Sequence, residues 1–305
     1  MSTDLSPANH APVVLFVYRR HAQLRRTLAC LERSGVRHLH VFSDGPADAS
    51  AEDDVRAVRS VVASVDWVDP VVVEHEKNLG LSRSIRFGLD LVFEDHETVI
   101  VVEDDVFVAP GFCAYASLGL AEYRDSPSVA GVTGLRYPFN RRAFDGYAFD
   151  VFMSPRFSSW GWATWRDRWN DFTFDLPALR SRIESAPGLH AERAGADMVQ
   201  MVNEAVVTGT LKGSWDVVCA TNMLLRNQYF VTPTWNMIEN GGLSDGTHYS
   251  RAPRWQLRFE SEHQPALDRL RFAPVGENER VLKEYRKFFK PSLLARVGAR
   301  SRALR

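Results

Sequence analysis

The sequence predicts an α/β protein, with a mostly parallel, twisted sheet flanked by helices and then a mixed lobe. Three observations predict it. Apolar runs of strand length recur at Val13–Tyr18, Arg37–Phe42, Pro70–Glu74 and Thr98–Val102. The last of these has no period-two alternation, so both of its faces should be covered, as in a central parallel strand. Stretches of helical period separate the runs, and the links are short; a β-α-β-α-β-α-β order of this kind closes through right-handed crossovers.

Taken in order, residues 1–11 read as a loose arm. Val13–Tyr18 is a buried strand ending at Arg19-Arg20-His21, and the next helix carries Leu24, Leu28 and Leu31 on one stripe before Gly35 stops it. The second strand closes at Ser43-Asp44-Gly45-Pro46, a set of turn formers. Asp48 or Ser50 caps a helix with Val55, Val58, Val61 and Val62 inward. After the third strand, Asn78-Leu79-Gly80-Leu81-Ser82 leads into a helix with Ile85, Leu89 and Val92 inward. A loop of this kind before a helix offers backbone N–H groups to an anion, and Arg83 adds positive charge.

The fourth strand runs directly into Glu103-Asp104-Asp105. A buried strand cannot hold three carboxylates in its interior, so they belong at its C-terminal end, where open α/β sheets bind ligands. If the strand persists, Glu103 and Asp105 share a side and Asp104 faces away. Such a cluster suits a hard divalent ion, Mg²⁺ or Mn²⁺, held by one or two carboxylates and substrate phosphates. It equally suits an acidic turn that merely ends a strand. Arg19 and Arg83, brought to the same edge, serve either a diphosphate or a solvated helix terminus.

Beyond the acids, a helix follows Pro110, and Val129–Leu135 reads as a strand. Residues 136–176 are dense in aromatics, culminating in Ser159-Trp160-Gly161-Trp162-Ala163-Thr164-Trp165. Flat rings around a glycine fit core packing or the wall of a sugar-binding cleft. Residues 177–212 read as two surface helices. Asp216, after Ser214-Trp215, stands where it would cap the next helix. Tyr229–Pro233 is a short strand. Asn240-Gly241-Gly242 opens a glycine-rich loop that ends at His248, a residue able to close over a metal. From Val281 to Arg305 the chain is basic, which fits a solvated helix and tail or a contact with anionic lipid.

With 305 residues, 45% hydrophobic and 25% charged, the chain has the composition of a soluble globular protein. A formal net charge of −1 gives no field that calls for nucleic acid. Cys30, Cys113 and Cys219 lack metal-ligand spacing and an even count, so reduced thiols and a cytoplasmic location are expected. No run is long enough to span a bilayer. The P-loop and Gly-x-Gly-x-x-Gly patterns are absent, which argues against an ATPase or a dehydrogenase.

The ordered set Val17-Tyr18-Arg19, Ser43-Asp44-Gly45, Asn78-Leu79-Gly80 through Arg83, Val102-Glu103-Asp104-Asp105, the tryptophan run and Trp215-Asp216 resembles the GT-A-fold nucleotide-sugar glycosyltransferases. The first half is similar to family-two inverting enzymes and to N-acetylglucosaminyltransferase I. The tryptophan run is similar to one in bacterial sugar transferases of polysaccharide loci. The resemblance spans roughly residues 13–250 and implies a nucleotide-sugar-binding half at 12–135 and an acceptor-binding half at 136–280, and the basic composition marks off a tail at 281–305. It implies a nucleotide-sugar donor, a UDP-sugar first, a glycan or lipid-linked saccharide acceptor, and Mn²⁺ or Mg²⁺.

By the same resemblance, Arg19 and Asp44 hold the nucleoside and Arg83 lies near it. Glu103 and Asp104 approach the donor, and Asp105 and His248 face the metal. Trp160, Gly161 and Trp162 frame the cleft, and Asp216 is the catalytic base. One base and one metal imply a single displacement with inversion. Peripheral contact with the inner membrane face through the tail is a further expectation. Three other readings fit parts of the pattern: a sugar nucleotidyltransferase, disfavoured because Tyr18-Arg19-Arg20-His21 has no glycine, a non-catalytic nucleotide- or carbohydrate-binding module, and a membrane-docked scaffold, suggested only by the tail.

Overall fold

The computed structural model describes residues 10–186, 190–212, 214–243 and 257–289. The first half contains β1 (Val13–Val17), α1 (His21–Arg33), β2 (Leu39–Ser43), α2 (Glu52–Ala63), β3 (Val71–Glu74), α3 (Leu81–Asp95), β4 (Thr98–Glu103), β5 (Val106–Val108) and α4 (Phe112–Glu122). The second contains β6 (Val129–Thr133), β7 (Val151–Ser154), β8 (Trp162–Trp165), α5 (Arg166–Asn170), α6 (Leu176–Ser185), α7 (Ala196–Val202), α8 (Trp215–Leu225), β9 (Tyr229–Pro233), β10 (Ile238–Asn240) and α9 (Glu279–Phe288).

Eight strands form one sheet in the order β3-β2-β1-β4-β8-β6-β9-β7, and β10 pairs with β5 in a separate antiparallel ribbon. The strands from β3 to β4 are mutually parallel. β8 enters antiparallel between β4 and β6 and joins the parallel half to the mixed lobe. This is the α/β class expected, a mostly parallel sheet flanked by helices.

Both faces of the central strands are covered, which explains their unbroken hydrophobicity. Val13, Leu15, Ile100 and Val102 join one core with α1, α2 and α4. Val14, Phe16, Val99 and Val101 join the other with α3, α7 and α8. Gly88 lets α3 approach the sheet, because a Cβ there would lie 2.7 Å from the Phe16 ring. The third strand differs in environment: β3 is an edge, and Val71 and Val72 are exposed.

The tryptophan run is mostly core. Trp162 and Trp165 lie in β8 and are fully buried. Trp162 packs against Phe157, Trp169, Trp215 and Phe230, at centroid distances between 5.1 and 6.2 Å. The helices over 177–212 are only partly superficial, since Met198, Val202 and Val206 enter the second core. The basic C-terminal segment begins as docked structure. α9 buries Val281, Leu282 and Tyr285, and Val281 and Tyr285 pack against Phe139 and Phe152. Residues 290–305 lie outside the described residues. Among the described residues no helix is long and apolar enough to cross a membrane.

Candidate active site at the C-terminal edge of the parallel strands

β1 and β4 run side by side, with Phe16 opposite Glu103, so the end of β1 meets the acids at the end of β4. The strand stops at Glu103, and Asp104 and Asp105 form a turn before β5. That turn overrides the alternation expected from an extended strand. Asp104 and Asp105 both face the β1 end, where Arg20 pairs with them: Nη1 contacts Asp105 Oδ2 directly and lies 4.0 Å from Asp104 Oδ1. Glu103 feels the charges of Asp104 and Arg20 and also that of Asp216 from α8, but makes no ion pair with Arg20. The expected sharing of one side by Glu103 and Asp105, with Asp104 facing away, therefore gives way to a pair at 104–105.

Asp104 is built into the site. Its Oδ2 accepts the backbone N–H of Tyr18 at 3.0 Å, and its carbonyl accepts the Thr27 hydroxyl at 2.8 Å. Burial pushes its carboxyl up to about 6 against the opposing pull of the Tyr18 N–H and of Arg20. Glu103 is pushed further, to about 8, first by burial and then by the negative charges of Asp104 and Asp216. It is therefore largely protonated at neutral pH.

The 240–242 loop covers Asp105. The Gly241 N–H donates to the Asp105 carbonyl at 2.8 Å, and the Gly242 N–H to Asn240 Oδ1 at 2.8 Å. Gly242 sits so close that an added Cβ would collide with Asp105 Oδ2 and lie 3.0 Å from Arg20 Nη1. Only a glycine gives the backbone this approach. The loop continues toward His248, which lies outside the described residues.

Asp44 performs a task that the sequence did not reveal. Its Oδ1 accepts the N–H groups of Gly45 at 2.9 Å and Leu79 at 2.8 Å. Its Oδ2 accepts Asn78 Nδ2 and the Gly80 N–H, both at 3.0 Å. A carboxylate has about four acceptor positions, and these four contacts use them. The N–H groups of Leu79 and Gly80, expected to receive an external anion, thus receive the chain's own, and the loop is fixed at the mouth of the edge. Arg19 reaches away to Asp54 on α2 at 2.7 Å, with both side chains exposed. Arg83 is exposed in the first turn of α3.

Asp216 lies in the first turn of α8, while Ser214 takes the N-cap position, so Asp216 is not the cap. The start of α8 is held by Trp215, which packs 6.1 Å from Trp162 and 5.6 Å from Phe157. Trp162 is thus behind the site rather than facing a cleft, and its contact with Trp215 helps fix Asp216. Trp160 is half-buried against the first core. Gly161 has φ +62°, and an added Cβ would meet Ile238 of β10.

The residue that sequence reasoning missed is Arg20. The strand β1 stops before Arg19-Arg20, so alternation does not say which arginine turns inward.

The resemblance implies a divalent metal. Asp104 and Asp105 offer hard oxygen donors, and Arg20 offsets only one unit of their joint charge. Among the described residues no three His, Cys, Asp or Glu side chains form a ready cage. The donors therefore fit the mode in which one or two carboxylates hold the ion and substrate phosphates complete its shell.

No family model matches the chain, and no curated protein matches it. Among solved structures, one match is a mannosyltransferase, PcManGT from Pyrobaculum calidifontis, in complex with GDP-Man and Mn²⁺. It is 15% identical, with a TM-score of 0.40, over 72% of this chain and 75% of that one.

Proposed function

We propose that this chain is a metal-dependent glycosyltransferase that moves a sugar from a nucleoside-diphosphate sugar, UDP-linked in the first instance, to a hydroxyl of a glycan or glycolipid acceptor, with inversion. The observation that carries this reading is the meeting, at one sheet edge, of the Asp104–Asp105 pair, Arg20 and the charge of Asp216 beside Glu103. A divalent cation bound at Asp105 would offset the negative charge that develops on the diphosphate as the sugar leaves.

The chain's own residues account for the rest. Arg20 provides a guanidinium at the acids, suited to phosphate oxygens. The loop held by Asp44 shapes the nucleotide side, with Arg83 at its rim. Asp216 takes the proton of the acceptor hydroxyl as it attacks. Without a bound ion, burial and then the charges of Asp104 and Asp216 push the Glu103 carboxyl up, and a cation at Asp105 would draw its proton off. The half-buried Trp160 offers a ring at the acceptor side.

The test is sugar transfer and donor hydrolysis with Mn²⁺ across a panel of nucleotide sugars, for the wild type, Asp105→Ala and Asp216→Asn. Loss of a general base lowers kcat by roughly 10²–10⁴-fold. Full activity in Asp216→Asn would remove the base, and with it the argument for inversion. Full activity in Asp105→Ala would remove the metal role. Pyrophosphate release from a nucleoside triphosphate and a sugar phosphate would redirect the assignment to a nucleotidyltransferase.

A further inference from the structure

Arg20 and Gly242 meet on the same oxygen of Asp105. The Arg20 guanidinium contacts Oδ2, and a Cβ on Gly242 would strike that oxygen while lying 3.0 Å from Arg20 Nη1. Asp105 is 6% exposed, so few directions of approach remain open to this carboxylate. Arg20 differs in freedom between its backbone and its side chain. Its backbone is fixed at the N-cap of α1, where its carbonyl accepts the Leu24 N–H at 2.9 Å. Its side chain is 27% exposed and can rotate away.

We infer that Arg20 is a latch: its guanidinium competes with a divalent cation for Asp105, and a nucleoside diphosphate exchanges the two by drawing the guanidinium onto its phosphates. This rests on the proposed nucleotide-sugar reading and deepens it by naming the residue that makes cation and nucleotide binding interdependent. The physical ground is charge. A guanidinium and a divalent ion cannot share one carboxylate oxygen without strong repulsion at short range. A diphosphate provides a new anionic partner that a planar, always-charged fork can engage with two donors. Moving the guanidinium to the phosphates leaves Asp105 open and adds phosphate oxygens to the cation's shell. The coupling is thermodynamic, so it must be the same in both directions.

The experiment is Mn²⁺ binding followed by electron paramagnetic resonance of the free ion, with and without UDP, on the wild type, Arg20→Met and Arg20→Lys. GDP serves as a second probe, and circular dichroism verifies folding. In the wild type, UDP should tighten Mn²⁺ binding by about ten-fold or more, and Mn²⁺ should tighten UDP by the same factor. Arg20→Met should bind Mn²⁺ alone about ten-fold tighter than the wild type, with the coupling to UDP reduced by that same factor to what direct ligation by the phosphates supplies. Arg20→Lys retains the charge without the fork, so it should bind Mn²⁺ alone as the wild type does and show weakened coupling. It also keeps the test open should the methionine variant fail to fold, because coupling in the lysine variant equal to wild type would overturn the latch. If the wild type couples UDP and Mn²⁺ while a folded Arg20→Met gains no Mn²⁺ affinity, the latch is wrong and the nucleotide-sugar reading stands. If the wild type binds neither UDP, GDP nor Mn²⁺, both fall together.

Discussion

The backbone N–H of Gly80 donates to Asp44 Oδ2 at 3.0 Å, which ties the start of α3 to the end of β2. Gly80 adopts φ +76°, a left-handed conformation, and so lets the chain turn into the helix while directing that N–H backwards. The loop between β3 and α3 therefore takes its shape from a residue far away in sequence.

This relationship predicts that Asp44 matters first for stability. Asp44→Ala strands the N–H groups of Leu79 and Gly80 and the Asn78 side chain in a partly buried loop. The cost should be about 2–4 kcal/mol, since each buried donor left unpaired costs about 1–3 kcal/mol. Asp44→Asn retains one acceptor oxygen and should lose about half as much. Urea unfolding reads the loss, and amide exchange at residues 78–80 locates it. A residue whose only partner was a nucleobase would leave both measurements unchanged and weaken nucleotide binding alone.

Gly161→Ala tests how the tryptophan run supports the site. The φ of +62° strains any L side chain, and the new methyl would press on Ile238, the first residue of β10. β10 pairs with β5, and the Asn240–Gly242 loop over Asp105 follows it. Overpacking costs about 1–3 kcal/mol and left-handed backbone about 1–2 kcal/mol more. A loss of about 2–5 kcal/mol is expected, with faster amide exchange at Gly241. Unchanged stability would mean that the backbone here relaxes freely and that Gly161 is dispensable for holding β10.

The parallel half was legible because its physics is local. Unbroken apolar runs require cover on both faces, and the breakers at Ser43–Pro46 and Asn78–Gly80 punctuate them. The candidate site was legible as a place more than as a set of contacts. Glu103–Asp105 lie at the edge as expected, yet which acid faces which partner depended on β4 stopping at Glu103, and a one-residue change in a strand end swaps faces. The same ambiguity concealed Arg20 behind Arg19. Asp44 looked like a ligand because nothing local shows that residues 78–80 return to it. Trp162 looked like a cleft wall because aromatic density alone does not separate a platform from a core, and its position in β8 came from pairing with β4 and β6. The strands β5 and β10 have three residues each, too few for any period to be read.

The raised carboxyls predict a particular dependence of stability on pH. Glu103 moves from 4.5 to about 8 and Asp104 from 3.8 to about 6, so each binds its proton in the folded chain over a range in which the unfolded chain has released it. Their contributions are fully present below the unfolded values and are lost as pH rises through the folded ones. The Asp104 contribution falls between about 4 and 6. The Glu103 contribution falls across the whole span up to about 8, so above about 6 it is the larger of the two. Glu103→Gln keeps the shape and removes the titration. In chelated buffer, the stability of the wild type relative to this variant should decline by about 1–2 kcal/mol between pH 6 and 8, given at most about 1.4 kcal/mol per unit for one proton. Parallel curves for the two proteins, measured by urea unfolding at each pH, would show that Glu103 is ionised throughout and that burial and Asp216 do not hold its proton.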